Sequence, residues 1–152
     1  MKKFHIRRGV DCMKKDECLF CKIANGDSPS RTLYEDERFR VILDIFPLTK
    51  GYVLILPKEH FTNIYELPDE WCADVMKLAK KMAIKLKEKL GCDGINIQSN
   101  NEIAAGQTIF HFHMHLIPRY KDDEKLTHSV IALKPSEPTD AELDEVHMQI
   151  MQ

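Results

Sequence analysis

Residues 111–117 read His-Phe-His-Met-His-Leu-Ile, three imidazoles alternating with apolar side chains. In a β-strand successive side chains point to opposite faces. A strand over residues 108–117 is therefore expected to carry His111, His113 and His115 on one face and Phe110, Phe112, Met114 and Leu116 on the other, in a core. Neighbouring histidines on such a strand would stand about 6.5–7 Å apart, and the outer two about 13 Å apart. A single zinc ion with bonds near about 2 Å cannot take all three. Three of the seven histidines fall within five residues at period two, which argues against an accident of composition. The three are expected to have different roles on a catalytic strand, with one end open to recruitment as a metal ligand.

The remaining composition narrows the setting. A chain of 152 residues with 43% hydrophobic and 30% charged residues is expected to form one globular domain. Its net charge of −2 offers no basic footprint for nucleic acid and no polybasic membrane anchor. No apolar run approaches the roughly 20 residues of a membrane span, and no secretory signal opens the sequence. Five cysteines without an export signal point to reduced thiols or metal ligands in a cytoplasmic protein. Met13-Lys14-Lys15 looks like a second start, and Arg7-Arg8-Gly9 can be encoded by a ribosome-binding sequence just upstream. Residues 1–12 are thus expected to be a disordered or non-native extension before a domain over 13–152, the alternative being a short genuine arm.

Periodicity outlines the elements. Residues 18–25 read as a short helix or turn closed by Gly26-Asp27-Ser28-Pro29. Alternation over 32–36 and 38–43 predicts two strands with a tight connection, and 52–57 a third after the Lys50-Gly51 turn. Trp71, Val75, Leu78, Met82, Leu86 and Leu90 recur at helical spacing and predict a long helix over 68–90, with Pro68 in its first turn and Gly91 closing it. A short strand over 94–98 and a polar loop over 99–107 lead into the histidine strand. Thr139-Asp140-Ala141-Glu142 is a capping box that opens a C-terminal helix. Strands, one long helix and more strands indicate an α+β fold with a mostly antiparallel sheet.

Gly106-Gln107-Thr108, followed after two residues by the triple histidine and Pro118-Arg119, resembles the signature of the histidine triad (HIT) family. The likeness extends over residues 18–119 through Cys18-Leu19-Phe20-Cys21, Tyr34-Glu35-Asp36, Leu43-Asp44-Ile45-x-Pro47, Gly51 and Pro57-Lys58-Glu59-His60. It implies the HIT fold: a five-stranded antiparallel sheet with one long and shorter helices, dimerising into a ten-stranded sheet. It further implies hydrolysis at the α-phosphate of nucleoside phosphoramidates or related AMP or GMP conjugates through a nucleotidyl-histidine intermediate. By the same likeness His113 is the nucleophile, His115 contacts the phosphoryl oxygens and leaving group, and Gln107 and Thr108 offer hydrogen bonds to the non-bridging oxygens. Asp44 takes the ribose hydroxyls with Ile45 beside it, and Asn100 faces the phosphate. A neutral imidazole suits the role of nucleophile, since it needs no prior deprotonation at neutral pH. His113 is expected to face the ligand pocket and pack little. Asp44-x-x-Pro47 also reads as plain turn chemistry, and Asn100 as a loop residue. Tyr52 stands where the family commonly carries His, and no catalytic role is assigned to it.

Cys18-x-x-Cys21 alone is a weak zinc signal, because redox motifs share the spacing. Many bacterial HIT proteins of the Hint-like branch hold a structural zinc with this pair, the His of Pro-Lys-x-His and the first triad histidine. The resemblance therefore implies one zinc per chain on Cys18, Cys21, His60 and His111, the alternative being a site out of use with His60 at a strand end. Two rival functions stay open: a dinucleoside polyphosphate hydrolase, and a nucleotide-binding or interaction module without turnover.

Overall fold

The computed structural model describes residues 17–122 and 133–152, so the expectation for residues 1–12 lies outside the described residues. Five strands, β1 (Thr32–Glu35), β2 (Phe39–Leu43), β3 (Val53–Pro57), β4 (Gly94–Gln98) and β5 (Met114–Arg119), form one antiparallel sheet in the order β1-β2-β3-β5-β4. Helix α1 (Leu19–Asn25) lies against one face, while α2 (Asp69–Leu90) and α3 (Asp140–Met151) cover the other. Fold class and element order agree with the expected α+β arrangement.

Alternation decides which layer each side chain joins. On β3, Val53 and Ile55 join Trp71, Leu78, Met82 and Leu86 of α2 in the larger core. Leu54 and Leu56 point the other way, into a smaller core with Phe20, Cys21 and Ala24 of α1. Because both faces are covered, every residue of β3 is buried, which explains its unbroken apolar run. Trp71 is a core residue, edge-on to Phe39 and Phe61. Helix α2 starts after Pro68 and stops at Gly91, whose φ of 66° is the left-handed conformation that ends helices. The capping box of α3 is formed, with Thr139 and Glu142 bonded reciprocally.

The expected strand over 108–117 needs correction. Regular pairing begins only at Met114 and continues to Arg119. The ladder from β3 runs Val53↔Leu116, Leu54↔His115, Ile55↔Met114, so the next steps would bring Phe112 opposite Pro57. Proline has no N–H to donate. The Phe112 N–H instead donates to the Phe61 carbonyl at 2.6 Å, and residues 111–113 leave the sheet as an irregular segment. The alternation of faces survives: Phe112, Met114 and Leu116 enter the larger core, and Ile117 the smaller one.

Candidate active site and metal-ligand cluster

The departure of residues 111–113 from the sheet separates the three histidines into two groups. His111 is fully buried and donates from Nε2 to the Pro57 carbonyl at 2.9 Å. That bond leaves the lone pair on Nδ1, which lies 3.5 Å from Cys18 Sγ and 3.4 Å from Cys21 Sγ. His60 Nδ1 lies 3.2 Å from Cys21 Sγ. The ligand atoms of Cys18, Cys21, His60 and His111 all fall within 4.8 Å of one another.

These separations fit a tetrahedral ion. Bonds of about 2.3 Å to sulfur and about 2.0–2.1 Å to nitrogen place S and N about 3.5–3.6 Å apart in a tetrahedron. Burial, with smaller contributions from His60 and His113, pushes the pKa of His111 down to about 4, so it holds a neutral, ligand-competent ring. The Cys21 N–H donates to Cys18 Sγ at 3.4 Å, fixing the turn that brings the two cysteines together. Asn25 of α1 donates to the Lys58 carbonyl at 3.0 Å, holding the short helix against the end of β3.

His113 and His115 form the second group, with ring centroids 4.7 Å apart. The expectation that His113 packs little is wrong: it is only 7% exposed and meets Phe20 edge-on at 5.0 Å. The bend at 111–113 turns its ring inward, and its Nδ1 donates to the His111 carbonyl at 2.7 Å. Nε2 therefore carries the lone pair. Burial lowers the pKa of His113, and that of His115 to about 3, so both rings are neutral near pH 7. Tyr52, unassigned from sequence, stacks on His115 and hydrogen-bonds its Nδ1 through the phenol oxygen. Its sequence signals were its place at a position where the family commonly carries His and the period-two alternation that puts it in the layer of Leu54.

Phe20, which meets the His113 ring, and Leu54, the register partner of His115, line with Ile109 a cavity of about 740 Å³, ample for a nucleotide. Asp44 and Ile45 line it too. Asp44 Oδ1 accepts the Phe46 N–H at 2.7 Å, the expected turn, and burial raises the carboxyl's pKa. A wall invisible in the sequence comes from Arg31, which pairs with Asp140 and Asp144 of α3 at 2.9 and 2.7 Å. No local pattern couples a loop residue to a helix more than a hundred positions away.

The loop before the histidines departs from expectation at Gln107. This side chain is buried, and its amide nitrogen donates to Thr62 O at 2.7 Å and Ile109 O at 3.1 Å. Both amide hydrogens are used, leaving none for a substrate oxygen. Its Oε1 accepts the N–H of Glu102 at 2.7 Å, and Glu102 sits at φ 71°, a strained conformation for a non-glycine residue. Gln107 thus braces the loop. Thr108 is exposed on it and Asn100 is half-buried; among the described residues neither makes a side-chain hydrogen bond.

The HIT domain model matches residues 25–122. An uncharacterized HIT-like protein from Methanocaldococcus jannaschii is 41% identical over 133 residues, 88% of this chain and 98% of the relative. An adenosine 5′-monophosphoramidase from Schizosaccharomyces pombe is 40% identical over 106 residues, 70% of this chain and 77% of that one. The crystal structure of a Zn-bound histidine triad family protein from Mycobacterium smegmatis superposes with a TM-score of 0.75 at 34% identity, covering 90% of this chain and 95% of that chain.

Gln107→Ala removes three hydrogen bonds and releases the strained Glu102. It is expected to cost about 2–3 kcal/mol of stability in urea unfolding. An unchanged midpoint would show that the loop holds itself without the amide.

Proposed function

The chain belongs to the HIT family, and from that premise we propose that it hydrolyses a nucleotide conjugate, a nucleoside phosphoramidate by class, at the α-phosphate with His113 as nucleophile. The observation that carries this reading is the 2.7 Å bond from His113 Nδ1 to the His111 carbonyl. A carbonyl can only accept, so the proton sits on Nδ1 and the lone pair on Nε2. In a neutral buried ring that lone pair needs no base to expose it.

Attack by Nε2 forms an N–P bond. The bond from phosphorus to the leaving amine breaks, and its electron pair departs on the amine nitrogen, which takes a proton from solvent. The nucleotidyl-imidazole carries positive charge shared with Nδ1–H, where the His111 carbonyl already lies. Water then attacks phosphorus, the P–Nε2 bond breaks, its pair returns to Nε2, and the water's proton goes to solvent. The sum is conjugate plus water giving nucleotide plus amine. The nucleoside would occupy the cavity of about 740 Å³ beside Phe20 and Ile45, its ribose hydroxyls donating to Asp44. Such donors would keep that carboxyl ionised despite its burial. Thr108, Asn100 and His115 are the groups we assign to the phosphoryl oxygens, with Gln107 holding their loop.

Cys18, Cys21, His60 and His111 would hold one zinc ion per chain. Four protein donors leave no open position, so the ion would supply stability rather than reaction chemistry. At 7 residues α1 is too short to be stable alone, and such an ion would fasten it to β3 and the histidine segment. We also propose a homodimer joined through β4. Among the described residues that edge strand pairs only with β5, and it carries the exposed Ile97, a surface that invites a second copy.

Incubation with adenosine 5′-phosphoramidate is expected to release AMP, faster than from diadenosine tetraphosphate. His113→Ala should lower that rate by at least about a thousandfold while the protein remains folded by circular dichroism. Substantial turnover in this variant would sink the mechanism, and tight binding of AMP without release by the wild type would favour a binding module.

Purified protein, kept reduced and away from chelators, is expected to contain about one zinc per chain. Cys21→Ser should lose the metal and melt several degrees lower, about 2 kcal/mol or more, while its folded fraction keeps some activity. Metal content near zero in the wild type rejects the site. Sedimentation at micromolar concentration is expected to show a dimer, and a monomer there would refute the β4 interface.

A further inference from the structure

Tyr52 immediately precedes β3, 5% exposed, in the layer that contains Leu54, and Leu54 is the register partner of His115. Its ring lies nearly parallel to the His115 imidazole, at 20° with centroids 5.7 Å apart, and its phenol oxygen is hydrogen-bonded to His115 Nδ1. The opposite nitrogen, Nε2, is buried with no hydrogen-bond partner among the described residues. A buried polar atom left without a partner is costly, and such atoms mark sites that a ligand completes.

Two proton arrangements fit these contacts. If His115 donates from Nδ1, the phenol hydrogen has no acceptor among the described residues and Nε2 is a bare lone pair, leaving two unsatisfied groups. If Tyr52 donates, one remains, the N–H on Nε2. Only that second arrangement presents a donor. A phosphoryl group carries negative charge, which a lone pair would repel and an N–H would bind. Burial, reinforced by the nearby Asp44, holds the phenol protonated, and burial keeps His115 neutral with a single ring proton to place.

We propose that Tyr52 is a positioning residue that fixes the tautomer of His115, holding its proton on Nε2 so that this atom donates to a phosphoryl oxygen beside His113. The donor role rests on the hydrolase reading above; the tautomer does not. No proton leaves His115 in this role. The imidazole remains neutral and binds charge as it develops on oxygen. Tyr52 itself touches neither substrate nor reacting atoms. Its phenol decides which nitrogen of the neighbouring ring can do so.

Long-range proton–nitrogen correlation spectra of the full-length protein, labelled with ¹⁵N at histidine, read the tautomer directly. Wild type is expected to show His115 protonated at Nε2 and bare at Nδ1 at neutral pH. Tyr52→Phe keeps the ring and its stacking but removes the donor. It is expected to shift His115 to a mixture of tautomers and lower kcat for AMP release about tenfold, with KM held within about twofold. A wild-type His115 protonated at Nδ1 overturns the proposal. So does a Tyr52→Phe variant with an unchanged tautomer, or one with a changed tautomer and unchanged kcat. Wild type that shows the Nε2–H pattern, lost in Tyr52→Phe, but releases no AMP would refute the hydrolase reading and leave the tautomer assignment standing. Should Tyr52→Phe fail to fold, the wild-type spectrum alone decides.

Discussion

Pro57 ends β3 without an N–H, and the site is organised around that missing donor. The ladder between β3 and β5 has no donor there, and the chain before Met114 leaves regular pairing. The Pro57 carbonyl remains, and His111 donates to it from Nε2 at 2.9 Å. That bond leaves His111 Nδ1 facing the two cysteines, and departure from the sheet frees the His111 carbonyl from any strand partner. His113 then donates to the freed carbonyl at 2.7 Å. An imidazole aimed at a pair of cysteines and an imidazole with its lone pair on Nε2 thus follow from one proline.

Burial explains why hydrogen bonds can govern these rings. His111, His113 and His115 are all pushed below their ordinary pKa by loss of solvent, and each stays a neutral imidazole with one proton. A charged ring would be free to donate from both nitrogens; a neutral one must choose, and its partner chooses for it. The partners differ along the segment: a carbonyl on Nε2 for His111, a carbonyl on Nδ1 for His113, a phenol on Nδ1 for His115. Three chemically identical side chains at period two thereby acquire different properties. The same low-dielectric setting strengthens any hydrogen bond made there to a developing charge.

Much of this was legible beforehand. Apolar spacing over 68–90, the Gly91 terminator and the Thr139 capping box are local signals, and they mark where those helices run and end. The histidine alternation told which side chains share a layer, and Cys18, Cys21, His60 and His111 meet as the family resemblance implied. Less legible were the groups whose partners are distant in sequence. Gln107 reads as a donor for substrate until Thr62, Ile109 and Glu102 are seen to occupy its amide. Arg31 and the two aspartates of α3 show no pattern in the chain, yet they wall the cavity.

What the sequence determined by itself was identity and periodicity: which residues can ligate, attack or pack, and on which side of a strand they fall. Those properties are local, set by covalent geometry and by hydrophobic spacing. Tertiary structure alone decided where the strand starts, which nitrogen of each histidine holds the proton, and that Tyr52 is the partner of His115. Each depends on a hydrogen bond between segments brought together by sheet register: Phe112 with Phe61, His111 with Pro57, Tyr52 with His115. A strand's own sequence specifies its faces but not its neighbours, and a neutral imidazole takes its polarity from whichever neighbour arrives.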